Sequence, residues 1–181
     1  MSNNAQTPDA RGAYLAAVRE RVDTLAQAGV QAQGNGFSSL VVLTASMGSA
    51  QGLLAPDVTN ALQAAFTRLR YPPEDWCVLS TRRADDDPLD VALLRQALIT
   101  LDPATVVVVD PRAAEDLRCA YAQELEEQDP ALTPFAPGTL VRLLGMRVLN
   151  VGDFGAALAS SDSKQRAWAW LKRVPALGDP Y

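Results

Sequence analysis

Residues 105–110 read TVVVVD. Four valines in succession leave no polar face, so this stretch fits a strand covered on both sides, at the centre of a sheet. The period then changes. Asp110 is an N-cap residue and Pro111 is preorganised for the first helical position, with Ala114, Leu117, Tyr121 and Leu125 recurring behind them at helical spacing. A buried strand passing at once into a helix is the repeating unit of a parallel sheet.

Working outward, the unit recurs. Leu40 to Thr44 (LVVLT) is a second unbroken apolar strand, followed by the glycine-marked loop TASMGSAQG over residues 44–52. Pro56 and Asp57 then start a helix with Val58, Leu62, Ala65, Phe66 and Leu69 on one face. Trp76 to Leu79 is a third strand, and TRRADDD is a charged loop. Its last residue, Asp87, caps a helix with Pro88 first, Asp90 in the first turn, and Leu93, Leu94, Ala97, Leu98 and Leu101 inward. Upstream, residues 1–9 are polar and read as a flexible lead-in. A helix from about Asp9 to Ala28 follows, with Leu15, Val18, Val22 and Leu25 inward and Gly29 to end it. Gly34, Asn35 and Gly36 mark a loop. Downstream, Thr139 to Leu144 and Arg147 to Val151 are strands either side of Gly145, and a helix from about Ser163 to Val174 carries Trp168, Trp170 and Leu171. The order is helix, then β-α-β-α-β-α, then β-β-α. It predicts one α/β domain over residues 10–181, in three layers (α/β/α) around a mostly parallel central sheet.

Composition narrows the chemistry. The 181 residues are 48% hydrophobic and 20% charged, enough for a self-sufficient core. No apolar run approaches the roughly 20 residues that cross a bilayer, and the start has no apolar signal core, so a cytoplasmic protein without membrane contact is expected. A net charge of −5 disfavours nucleic acid as the main partner, although a local basic patch stays open. The chain has no histidine, which removes the commonest general base and the commonest nitrogen ligand for transition metals. Cys77 and Cys119 cannot supply the four thiolates of an iron–sulfur cluster or of an all-cysteine zinc site, so neither metal nor cofactor is expected.

Candidate sites belong in the loops after the strands. In TASMGSAQG the reactive groups are the hydroxyls of Thr44, Ser46 and Ser49, and serine needs a neighbouring base. Gly48 and Gly52 permit backbone approach to an anion, but no Gly-Lys-Ser/Thr follows; a turn is the competing reading. Asp85, Asp86 and Asp87 read as a solvated loop rather than a metal cage. Cys77 reads as a small core hydrophobe. In NVGDFGAALASSDSKQRAWAWLKR, residues 150–173, Asp153 and Phe154 leave a strand between glycines. Asp153 is either a base or part of a turn, and an exposed tryptophan would be the best partner-binding candidate.

Taken together, LVVLTASMG, WCVLST, ALITLDPATVVVVDPRAAEDL, LLGMRVLNV, FGAAL and SKQRAWAWLKR, from about Ser39 to Val174, resemble the uracil-DNA glycosylase-like superfamily, chiefly its short bacterial members. The resemblance implies a uracil-DNA glycosylase-like fold with a cleft at Ala45, Ser46, Met47, Gly48, Ser80, Thr81, Asp153 and Phe154. It also implies that the chemistry is gone. The water-activating acid falls on Ala45 or Ser46, and the proline and uracil-shielding aromatic on Met47 and Leu53 or Leu54. The base-reading asparagine falls on Ser80 or Thr81, and the anion-stabilising histidine on Phe154, followed by Gly155 and Ala156. The superfamily includes a non-enzymatic subunit of a bacterial replicative clamp loader. The expectation is therefore a catalytically empty glycosylase-fold protein acting as a binding or accessory module, with a protein partner in DNA replication or repair. The competing expectation is a divergent glycosylase or nucleotide hydrolase with Asp153 as base, and a deep pocket holding Asp153 beside Gly48.

Overall fold

The computed structural model describes residues 10–177. The lead-in expected over residues 1–9 lies outside them, as do the side chains of Leu15 and Val18. The chain runs α1 (Ala10–Gln27), β1 (Ala32–Gly34), β2 (Leu40–Thr44), α2 (Pro56–Arg68), β3 (Trp76–Ser80), α3 (Val91–Leu101) and β4 (Thr105–Val108). It continues through α4 (Pro111–Ala120), α5 (Ala122–Gln128), β5 (Leu140–Leu143), β6 (Met146–Asn150), α6 (Phe154–Ala157) and α7 (Ser161–Leu171). The six strands form one sheet in the order β1-β3-β2-β4-β6-β5. Its four inner strands are parallel, and β1 and β5 join antiparallel at the edges.

The two valine-rich stretches lie side by side at the centre, with Val42 opposite Val78 on one neighbour and Val107 on the other. Alternation along these strands divides the core in two. Leu40, Val42 and Val107 pack under Leu62 and Phe66 of α2 and Leu171 of α7, with Phe154 of α6 in the same layer. Val41, Leu43, Val106 and Val108 pack under α3, α4 and α5, with Leu25 of α1 at the margin. Phe66 is fully buried, edge-on to Trp76 at 5.3 Å between ring centroids. The result is the three-layer α/β arrangement. Among the described residues no helix is long and apolar enough to cross a membrane.

Tertiary pairing overrides the local sequence signal at several points. Gly34 ends a short edge strand rather than sitting in a loop; its φ of +106° lets the chain pass within 3.1 Å, at the position a Cβ would take, of the Trp76 carbonyl. The third helix starts at Val91, capped by Asp90, whose Oδ1 accepts from the Leu93 N–H at 2.8 Å. Asp87 and Pro88 instead close the charged loop: Pro88 bridges to Arg82, and the Leu89 N–H donates to the Thr81 carbonyl at 2.8 Å. The helix expected to run from Pro111 past Leu125 breaks at Tyr121 (φ −123°), yet both residues stay fully buried. Between β5 and β6, Leu144 and Gly145 both take positive φ, the two-residue hairpin turn whose twist matches its strands.

Candidate functional site

Strands β2 and β4 are neighbours, but β2 feeds α2 on one face of the sheet and β4 feeds α4 on the other. Chains that part in opposite directions leave a crevice above the strand ends, the place where open α/β sheets bind ligands. Here the crevice has a volume of about 350 Å3. Thr44, Ala45 and Ser46 line it from the end of β2 and its loop, Leu54 from just before α2 and Val58 from its first turn, Asp110 and Arg112 from the start of α4, and Asp153 from the loop after β6.

Asp110 holds the crevice together. Its Oδ1 accepts from the Ala113 N–H at 2.8 Å, which caps α4. Its Oδ2 accepts from the Ala45 N–H at 2.5 Å and from the Thr44 hydroxyl at 2.8 Å. Both oxygens are thus committed to protein donors, two of them on the neighbouring strand's loop. Thr44 Oγ1 in turn accepts from the Ser46 N–H at 3.2 Å. Asp153 is exposed at the rim, and its Oδ1 caps α6 by accepting from the Ala156 N–H at 2.8 Å. Arg112 pairs with Asp86 at 3.3 Å across the surface. Ser46 Oγ accepts from the Gly48 N–H at 3.2 Å, and among the described residues no hydrogen bond joins it to a carboxylate. Among the described residues no cluster of three metal-ligating side chains exists.

The expected cleft residues separate into groups. Ala45, Ser46 and Asp153 meet in the crevice. Met47 and Gly48 do not; they turn outward to a shallow depression shared with Gln31 and Gln33, where Gly48 (φ +81°) precedes a tight Ser49–Gly52 bridge. Ser80 and Thr81 are fully buried beneath the loops. The Ser80 hydroxyl donates to the Ser46 carbonyl at 2.6 Å, and the Thr81 hydroxyl donates to Asp116 Oδ2 at 2.6 Å. They support the loops and do not face a ligand. Phe154, expected at the cleft, is instead a core residue behind the crevice, because its backbone N–H docks on the Val109 carbonyl at 2.9 Å and its ring turns inward.

No known protein-family model matches this sequence, and no curated protein matches it. The remaining reactive groups must therefore be judged by their surroundings. Cys77 is buried, and desolvation pushes its thiol up to about 11, so it is inert near neutrality. Cys119 is exposed, but desolvation, then the hydrogen bond to Glu115, raises its pKa too. Asp85 and Asp87 are solvated. Trp168 and Trp170 are each half-buried, so neither is a freely exposed tryptophan.

Two polar side chains carry structural roles beyond those that the sequence pattern spells out. Asp110 reads only as a cap, yet it also clamps the loop after β2; the signal was its place at the end of the central strand. Asn150 is buried at the end of β6, donating to the Phe135 carbonyl at 2.6 Å and accepting from the Gly152 N–H at 2.8 Å. It sets the turn that presents Asp153. A lone amide closing an apolar run was the available sign.

Proposed function

We propose that this protein is a non-catalytic, glycosylase-fold binding module, an accessory protein in DNA replication or repair that works through a protein partner. The observation that carries the reading is the state of the crevice. Asp110 spends both oxygens on backbone and hydroxyl donors, Asp153 serves as a helix cap, and the position resembling that of a water-activating acid holds Ala45 or Ser46. A general base needs a free acceptor aimed at the proton it removes; Asp110 has both oxygens engaged, and Asp153 keeps only Oδ2, at the exposed rim. The order of strand, loop, helix and glycine-bounded hairpin supports the likeness in fold.

The divergent-enzyme reading retains one point in its favour, since Asp153 does border the crevice. It also needs Gly48 in the same pocket, and Gly48 lies in a different depression. The deciding measurement is uracil release from single-stranded and duplex uracil-containing DNA. The module reading expects no release above the no-protein background. Turnover that is altered by substituting Ala45 or Asp153 overturns it. Co-purification from the native cell tests the accessory role: recovery of the chain with no replication or repair protein enriched counts against it.

A further inference from the structure

The net charge of −5 is unevenly placed. Residues 56–70 and 153–174 build the α2, α6 and α7 layer, and hold six cations against three carboxylates; the chain's other ten cations face eighteen carboxylates. The surplus concentrates on α7 and the two residues that follow it. From Lys164 to Arg173 there are four cations, two tryptophans and no acid. Ala167, Leu171 and Val174 form the buried seam. On one flank Lys164, Trp168 and Lys172 recur every four residues, and on the other run Arg166, Trp170 and Arg173. Lys164, Arg166 and Lys172 are exposed and have no ion-pair partner among the described residues.

Beside the second flank lies a depression of about 260 Å3, bordered by Pro137, Gly152, Asp153, Ala156, Arg166 and Trp170. Trp170 is fixed there by its packing over Gly138: a Cβ at Gly138 would lie 2.8 Å from the indole Nε1. Arg173 is fixed as well, its Nη1 donating to the Gly138 carbonyl at 2.5 Å. The space is below the roughly 300–1,000 Å3 usual for small-molecule sites and suits a single large side chain.

We propose that the outer face of α7 docks an acidic peptide segment of a protein partner, seating one aromatic or large aliphatic side chain of that segment between Trp170 and Pro137. Charge complementarity selects the acid, because unpaired cations beside an apolar slot attract carboxylates and disfavour basic segments. The slot supplies the anchor, an aromatic or aliphatic group in a desolvated pocket ringed by polar contacts. A nucleic-acid strand fits less well. It carries a phosphate at every nucleotide and would bring one against Asp153 and Asp162, whereas a peptide can place its acids only opposite Lys164, Arg166 and Lys172. The inference goes beyond the module reading and is tested without DNA chemistry, so uracil release and peptide binding fail independently.

The experiment is selection of a random peptide-display library on the immobilised full-length chain. The best peptide is then labelled, and its binding to the full-length chain followed by fluorescence anisotropy. Enriched peptides should combine at least two Asp or Glu residues with one aromatic or leucine. The dissociation constant should rise at least tenfold in Arg166→Glu/Lys172→Glu, which alters exposed charges only, and at least tenfold in Ala156→Trp, which fills the slot. Raising salt should weaken binding. Enrichment without acidic bias, or a selected peptide that binds both variants as it binds the unmodified chain, overturns the proposal. So does a twenty-residue oligothymidylate that binds more tightly than the best peptide and is lost in the same variants, which reassigns the face to nucleic acid. A solution dimer broken by Arg166→Glu likewise overturns it, in favour of a second copy of this chain.

Discussion

Replacing Asp110 with alanine separates a structural carboxylate from one held in reserve for chemistry. The side chain accepts three hydrogen bonds, from the Ala113 N–H, the Ala45 N–H and the Thr44 hydroxyl. Loss of an N-cap costs about 1 kcal/mol. The Ala45 N–H belongs to a residue only 6% exposed, and a buried donor left without a partner costs about 1–3 kcal/mol. The Thr44 hydroxyl can rotate, so it adds little more. The expected total is about 3 kcal/mol, a large part of the roughly 5–15 kcal/mol that holds a domain together. For a chain of this size it lowers the thermal midpoint by about 6–12 °C. Urea unfolding followed by circular dichroism should show a lower midpoint at unchanged slope. Asp90→Ala provides the comparison, because Asp90 caps α3 through one bond to Leu93 and nothing else. That variant should lose only about 1 kcal/mol, and the difference measures the clamp on the β2 loop. If Asp110→Ala loses no more than Asp90→Ala, or gains stability as removal of a strained functional group often does, the structural reading of the crevice fails.

Three further outcomes follow from single positions. In the native protein at pH 8 a thiol reagent should label Cys119 alone, more slowly than free cysteine, with Cys77 reacting only after denaturation. Because Cys77 holds its proton more tightly folded, at about 11, than unfolded, near 9, its contribution is complete below about pH 9 and is lost as pH rises toward 11. That loss is roughly 2–3 kcal/mol, visible as a steeper alkaline decline than in Cys77→Ala. Gly138→Ala forces both a φ of +87° on alanine and a contact with the Trp170 ring; a loss of about 2 kcal/mol and a shifted tryptophan emission should result. Leu144 sits exposed at φ +48° in the β5–β6 turn, so Leu144→Asn should raise stability by about 0.5–1 kcal/mol, read as a higher melting temperature.

The central strands were legible because buried parallel strands write themselves as continuous apolar runs: LVVLT and TVVV both lie at the middle of the sheet. Helical faces were legible for the same reason, through spacing. The edge strand β1 was not, since its AQG sequence carries no strand preference and it exists only because β3 offers an open edge for pairing. The start of α3 was misplaced because Asp87-Pro88 and Asp90 are both plausible caps, and the bridge from Pro88 to Arg82 that decides between them is a tertiary contact. In the site, the family resemblance implied that Ala45, Ser46, Met47 and Gly48 line one cleft. The chain turns after Ser46, so the first two face Asp153 and the last two face Gln31 and Gln33.

Charge shows a different limit on what a linear reading can give. A total of −5 disfavours phosphate-bearing partners only if the charges are mixed over the surface. The crossovers send α2 and α7 to one face of the sheet and α3, α4 and α5 to the other, so the fold sorts the charges by layer. The acid-rich stretch Glu124 to Asp129 falls on one side and Lys164 to Arg173 on the other. At an ionic strength near 0.15 M the screening length in the surrounding solvent is about 8 Å, so charges exposed on the far side of the sheet act only weakly on a partner at this face. A partner approaching α7 is therefore steered mainly by Lys164 and Arg166 of that helix with Lys172 and Arg173 just past its end, and little by the acids behind the sheet. The same molecule is then acidic to a bulk measurement and basic to whatever docks on α7. Its elution from an ion exchanger reports the first property, and the salt dependence of binding in Arg166→Glu/Lys172→Glu reports the second.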